Sequence, residues 1–153
     1  MSEFSITCSD FEEGGEIPKK FGYKHGNEQP DIEWHNVPVD TLTLALIMDD
    51  PDAMGAVGKI WVHFLWYQTS SQSGDDVEYG RASEHDSTYG KTDFGEIGYG
   101  GPAPPDKRHT YIFKAYALDI ILDLKEGYSK QELEDVMKGH IIAEAKLTGT
   151  FAP

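Results

Sequence analysis

The chain has 153 residues, 39% of them hydrophobic and 12% aromatic, so it is long and apolar enough for one globular domain with its own core. Lysine and arginine total 13 against 27 acidic residues, and the formal charge of -14 argues against nucleic acid or anionic lipid as a general partner. The single cysteine cannot form an internal disulfide, and no signal peptide or membrane-spanning run is visible. We therefore expect one cytoplasmic domain over residues 1–153, without integral membrane association.

The first half of the chain carries two strong strand patterns and two weaker ones. Phe4–Cys8 alternates as a short strand, and Asp31–Trp34 is a second candidate inside a stretch rich in turn formers. Leu42–Met48 predicts a buried strand that ends abruptly at a cluster of aspartates around a proline. Ala53–Lys59 is predicted to be a glycine-containing connection. The aromatic and branched residues of Ile60–Tyr67 predict the next strand.

The second half of the chain adds two more strands and one helix. Thr69–Thr92 is long and polar, and we interpret it as a surface excursion with at most one weak strand or turn. Tyr111–Leu118 and Ala143–Leu147 alternate as strands. A Ser-x-x-Glu capping box and helical spacing predict a helix over Ser129–Lys138. Because helices do not separate successive strands, this order favours an antiparallel β-sandwich over a doubly wound parallel sheet.

Chemically useful side chains stand at or within the three strong strands. Asp50 and Asp52 follow the first strand, His63 interrupts the second, and His109 precedes the third. The glycine-rich stretch before His109 runs into several prolines, so no helix N-terminus can receive a nucleotide phosphate there. A serine-hydrolase elbow of the form Gly-x-Ser-x-Gly is not present in the sequence.

Two hypotheses remain for these residues. His63, His109 and Asp50 have the composition of a two-histidine, one-carboxylate metal site, which predicts a metal-assisted hydrolase or oxygenase. Alternatively, the imidazole N–H groups bind an anion together with the backbone N–H groups of Gly100 and Gly101, while Asp50 orients one imidazole. Either histidine taken alone is more simply explained as a satisfied strand residue.

Four motifs in this order resemble the phosphatidylethanolamine-binding protein family, whose members are also called Raf kinase inhibitor-like proteins. They are Asp50–Ala53, Trp61–Phe64, Tyr99–Pro102 and His109–Tyr111. The resemblance covers nearly the whole chain and is strongest to the bacterial and archaeal branch. It implies a β-sandwich with a few peripheral helices around a small anion pocket.

The resemblance also implies the ligand and the partners of this pocket. The ligand would be phosphate, a phosphorylated headgroup or a similar small anion, held without a metal, a cofactor or a catalytic step. The protein would act as a regulator or inhibitor of a partner such as a kinase or a serine protease, and a homodimer is a further expectation. The implied pocket residues are Asp50, Asp52, Trp61, His63, Gly101, Pro102, His109 and Tyr111.

Three positions depart from the pattern of the family. Met54 stands where a proline is common, Ala103 where the microbial branch often has cysteine, and Thr110 where an arginine is usual. Arg108 lies on the other side of His109, and we expect it to replace the missing arginine. None of these departures removes a histidine of the implied pocket.

Overall fold

The computed structural model describes residues 3–69, 74–79 and 87–153. Within these ranges the chain forms a mostly β structure with short helices. The strands are β1 (Ser5–Cys8), β2 (Gly15–Glu16), β3 (Ile32–Val37), β4 (Thr43–Asp50), β5 (Trp61–Thr69), β6 (Gly74–Tyr79), β7 (Ser87–Tyr89), β8 (His109–Leu118) and β9 (Ile141–Phe151). The helices are a 3-10 turn (Lys19–Phe21), α1 (Ala53–Val57) and α2 (Lys130–Met137).

The described strands form two sheets, and this confirms the predicted sandwich. The smaller sheet has the order β1-β3-β6 and the larger one β2-β9-β8-β4-β5-β7. Pairing is antiparallel throughout these strands except between β2 and β9. One hydrophobic core fills the space between the sheets, and Trp34 of β3 meets Trp66 of β5 there.

Strand β4 lies at the centre of the larger sheet and is buried on both faces. Leu44, Leu46 and Met48 belong to the core between the sheets, whereas Ala45 and Ile47 face a second core on the outside. The alternation of large apolar side chains on both faces explains why every residue of this strand is buried. The strand continues through Asp49 and Asp50 after an irregularity in register, so it is longer than the predicted Leu42–Met48.

Helix α2 covers the outer face of the larger sheet. Leu133 and Met137 of this helix are buried in the second core, and the predicted capping box between Ser129 and Glu132 is formed in both directions. This confirms the predicted helix near Ser129–Lys138. Among the described residues, no helix is both long and apolar enough to traverse a lipid bilayer.

The structure corrects two predictions about connections. Ala53–Lys59, predicted as a glycine-containing connection, contains the helix α1, which ends at Gly58 in the left-handed conformation with a φ of 79°. The polar stretch Thr69–Thr92 contains β6 and β7. The residues on either side of β6 lie outside the described part of the chain. The last strand extends over Ile141–Phe151, well beyond the predicted Ala143–Leu147.

Candidate functional site

A small cavity opens where the chain leaves β4 and where β5 and β8 begin. Its volume is about 120 Å³. Pockets for drug-sized ligands measure roughly 300–1,000 Å³, so this cavity is suited to a small ion or a headgroup. The lining residues are Asp50, Ala53, Ala56, Val57, Trp61, His63, Phe94, Ala103, Pro105, His109 and Tyr111.

His109 is fully buried and has a carboxylate at each ring nitrogen. Its Nδ1 lies 2.6 Å from Oδ2 of Asp50, and its Nε2 lies 2.7 Å from Oδ1 of Asp106. The two carboxylates differ in exposure, since the side chain of Asp50 is 4% exposed and that of Asp106 is 42% exposed. Because carboxylates only accept, both ring nitrogens donate when His109 is an imidazolium.

The surroundings of His109 favour its charged form. Burial lowers the pKa of the imidazole, but hydrogen bonds and charge from Asp50 and Asp106 outweigh burial and raise the pKa above its ordinary value. In return, the hydrogen bond from His109 lowers the pKa of the Asp106 carboxyl. The two carboxylates therefore favour the imidazolium form of His109.

The surroundings of His63 favour the opposite, neutral form of its ring. Its Nδ1 donates to the carbonyl oxygen of Gly100 at 2.6 Å, and the Gly100 N–H donates back to the His63 carbonyl at 2.8 Å. Burial lowers the pKa of His63 and outweighs the favourable effect of these neighbours. With Nδ1 as the donor, the neutral ring has its lone pair on Nε2, and it turns into a second donor only when it takes up a proton.

Two donors on residues that line the cavity are buried and make no hydrogen bond of normal geometry with the described residues. They are the indole Nε1–H of Trp61 and the hydroxyl of Tyr111. Tyr111 is completely buried, and its ring packs edge-on against His63 at a centroid distance of 5.1 Å. Burial raises the pKa of Tyr111, and the charge of Asp50 and a weak hydrogen-bond interaction with its carboxylate raise it further, so the hydroxyl keeps its proton at neutral pH. Unpartnered buried donors are rare in folded proteins, and both of these lie at one cavity.

The two aspartates of the Asp-Pro-Asp motif accept hydrogen bonds from other groups of the protein. Oδ1 of Asp50 accepts from the Asp52 N–H at 2.9 Å, while its Oδ2 contacts His109. Oδ2 of Asp52 accepts from the Thr110 N–H at 2.8 Å, which ties the start of α1 to the start of β8. Asp50 lines the cavity and orients a histidine, whereas Asp52 does not line it and positions the backbone.

The glycine loop has a different role from the one predicted. The N–H of Gly101 donates to Oδ1 of Asn27 at 2.8 Å, and the N–H of Gly100 is bonded to His63, so neither is free for an anion. A side chain at Gly101 would place a Cβ atom 1.9 Å from the carbonyl oxygen of Phe21. The close approach that requires glycine here is therefore to the protein's own backbone. Pro102 also lies outside the cavity, and its carbonyl accepts from the Tyr23 N–H.

Five of the eight predicted pocket residues thus line one cavity, whereas Asp52, Gly101 and Pro102 do not line it and hydrogen-bond to other parts of the protein. The sequence analysis missed the apolar wall formed by α1, together with Phe94 and Asp106. Asp106 stands three residues before His109, and this short spacing was the available signal. Arg108 does not line the cavity, and its Nη1 donates to Glu16 and Thr150 at 3.2 Å.

The residues of the metal hypothesis are engaged with other protein groups. Asp50 uses both oxygens, His109 both nitrogens, and His63 its Nδ1. Across the described parts of the chain, no group of three or more His, Cys, Asp or Glu side chains is arranged to hold a metal ion.

The fold and cavity define a class of protein, namely a β-sandwich with a small, histidine-lined ligand pocket at the ends of its central strands. Comparison with known sequences agrees, since the model of the family described as phosphatidylethanolamine-binding protein matches residues 7–152. The chain belongs to this family.

Relatives and solved structures match the chain along almost its full length. A UPF0098 protein of Methanothermobacter thermautotrophicus is 39% identical, over 92% of this chain and 93% of the relative. The crystal structure of CT736, a phosphatidylethanolamine-binding protein homologue from Chlamydia trachomatis, aligns with a TM-score of 0.85 at 35% identity and covers 98% of this chain and 97% of the other. YbcL of E. coli, described as a member of the mammalian PEBP family, aligns with a TM-score of 0.83 at 26% identity and covers 98% of each chain.

Proposed function

We propose that this protein binds phosphate or the phosphate group of a small molecule in the cavity and that it does so without catalysis. The observation that carries the proposal is the pair of buried, unpartnered donors, Trp61 Nε1–H and Tyr111 O–H, at a single cavity. An unpaired buried donor costs about 1–3 kcal/mol, and an anion that accepts from both donors removes this penalty. The raised pKa of His109 favours an imidazolium near the cavity, whose charge is shared by the carboxylates of Asp50 and Asp106.

His63 adds a proton requirement to this binding. Its neutral ring offers only a lone pair at Nε2, which repels a fully ionised phosphate oxygen but accepts from a protonated one. The monoanion of phosphate brings its own proton. A bound dianion instead favours uptake of a proton by His63, which turns Nε2 into a donor.

The binding experiment combines calorimetry and histidine NMR with inorganic phosphate and phosphoethanolamine as probes. We expect saturable binding that shifts the ring signals of His63. Trp61→Phe, which removes one donor and keeps an aromatic ring, should weaken binding about tenfold. His140→Gln is the matched control, because His140 is partly exposed and pairs with Asp119. No ring shift at His63, together with an unchanged affinity in Trp61→Phe, would refute the proposal.

Family membership supports extending the proposal to regulation of a protein partner. Helix α1 forms a wall of the cavity and exposes Met54 and Val57 to solvent, so a partner that contacts this helix would sense whether the cavity is filled. The partner class that we propose is a kinase or a serine protease, inhibited differently by the empty and the phosphate-loaded protein. Inhibition assays at zero and saturating phosphate test this, and identical inhibition in both would argue against coupling. A homodimer and a cytoplasmic location stay predictions.

A further inference from the structure

The two carboxylates that contact His109 differ in how strongly the fold fixes their positions. Asp50 is buried, stands at the end of β4 and also accepts from the Asp52 N–H, so its position is determined by the sheet. Asp106 has a 42% exposed side chain and lies on the irregular segment between Pro105 and β8, with His109 as its hydrogen-bond partner in the site. An exposed side chain on a loop is released at the cost of this one hydrogen bond, whereas a buried strand-end carboxylate is also fixed by its packing.

An anion bound by the donors of the cavity would lie close to His109. Trp61, Tyr111 and His109 all line the one cavity of about 120 Å³. A phosphate that satisfies the two unpartnered donors therefore comes close to the His109 ring. Nε2 is the nitrogen of this ring whose partner is able to leave, because Nδ1 belongs to the buried Asp50.

A phosphate and the Asp106 carboxylate have the same charge and need the same hydrogen. Two anions within a few ångströms in a partly dry site repel each other strongly, as in pairs of neighbouring carboxylates. Either the Asp106 carboxylate or the phosphate therefore accepts the hydrogen of Nε2, but not both. In the free protein the Asp106 carboxylate accepts from Nε2 and the Asp50 carboxylate from Nδ1, so both N–H groups of the buried ring have a partner.

We propose that Asp106 is a built-in competitor for the anion, and that a ligand binds by replacing the Asp106 carboxylate at Nε2 of His109. This inference rests on the proposed function and goes beyond it. It assigns control of the anion affinity to Asp106, a residue that does not line the cavity. It also predicts a movement, since the segment that carries Asp106 must release His109 whenever the pocket fills.

The test measures phosphate binding by calorimetry to the full chain and to Asp106→Ala. The measurement is made at pH 6 and repeated at pH 5, and NMR of the His109 ring checks that it carries its proton in both proteins. Removal of the competitor should tighten binding about tenfold, the effect of one charge-assisted hydrogen bond. The matched control is Asp40→Ala, which removes the same charge from an exposed turn and should change affinity by less than about twofold.

A second readout follows Asp106 itself in the unaltered protein. Phosphate should shift the side-chain carboxyl carbon signal of Asp106 towards that of a solvated aspartate, because the carboxylate loses its hydrogen bond to His109. Tighter binding in Asp106→Ala together with this shift supports the proposal, and so does binding that is detectable only in Asp106→Ala.

The failures of the two proposals are distinguishable. If the unaltered protein binds phosphate and Asp106→Ala binds it equally or more weakly, Asp106 is not a competitor, although phosphate binding itself stands. An Asp106 carboxyl signal that does not move on saturation overturns the competitor in the same way. If neither protein binds phosphate, the proposed function fails and this inference fails with it.

Discussion

Replacing Tyr111 with phenylalanine should make the free protein more stable and its phosphate binding weaker. The hydroxyl of Tyr111 is buried near the Asp50 carboxylate but makes no hydrogen bond of normal geometry with the described residues, while its ring is part of the core between the sheets. Tyr111→Phe removes one oxygen and leaves the ring, so the packing is preserved. Residues that serve only the fold do not show such opposite effects on stability and binding.

The magnitudes follow from the surroundings of the hydroxyl. A buried polar group without a partner costs about 1–3 kcal/mol, so we expect a gain of about 1 kcal/mol after the small loss of contact made by the oxygen. For a chain of 153 residues, about 1 kcal/mol raises the melting temperature by roughly 2–4 °C. The lost hydrogen bond to a charged ligand should cost about 1.5–3 kcal/mol, which weakens phosphate binding about tenfold to a hundredfold.

Tyr128→Phe is the matched control for this experiment. Tyr128 is also buried, but its hydroxyl donates to the Thr88 carbonyl at 2.9 Å in the second core, away from the cavity. This variant should lose about 1 kcal/mol of stability and keep its phosphate affinity. Urea unfolding without phosphate and calorimetry with phosphate measure both quantities. If Tyr111→Phe destabilises the free protein as much as Tyr128→Phe does, the Tyr111 hydroxyl has a partner in the free protein and the reasoning is refuted.

Further predictions concern the histidines, one glycine and one helix cap. In NMR titrations, the ring of His63 should titrate below the ordinary value of about 6.5 and the ring of His109 above it. His109 therefore stabilises the fold below about pH 6.5 and loses this contribution as pH rises through its raised pKa, whereas His63 destabilises the fold as pH falls below about 6.5. Gly101→Ala should lower the free energy of unfolding by about 3 kcal/mol or more in urea, because the new Cβ collides with backbone. Ser129→Ala should cost about 1 kcal/mol in the same assay through loss of the cap.

Each of these predictions has a contrary outcome. Titration of His63 at a higher pH than His109 would contradict the assigned protonation states. Gly55→Ala is the control for Gly101, because nothing described lies within 4 Å of its added Cβ and it stands inside α1. It should stabilise the protein by about 0.5–1 kcal/mol, and an equal loss in both variants would exclude the proposed collision.

Most of the fold was predictable because its signals are local. The alternation in β4 and β8, the aromatic density of β5 and the capping box of α2 each occupy a few neighbouring residues. Helix α1 was missed because five residues with a central glycine carry little local signal. It forms where Asp52 joins the backbone of Thr110, a contact between residues 58 positions apart.

The sequence by itself identified the family and the residue types of the site, because four motifs in one order are enough to specify a pattern of strand ends. It predicted Asp50 as the partner of a histidine, and this pair is present in the structure. It did not assign the individual donor and acceptor atoms. Those assignments depend on hydrogen bonds between residues far apart in the chain, 59 positions for Asp50 and His109 and 37 for His63 and Gly100.

Only the tertiary structure decided which donors are free for a ligand. It showed that the glycine-loop N–H groups are already used, that the Trp61 and Tyr111 donors are not, and that Asp106 lies on His109. The physical reason is that burial and partnership belong to the packed molecule. A donor has the same chemistry in every sequence, but whether it is satisfied is determined by what the fold places within about 3 Å of it.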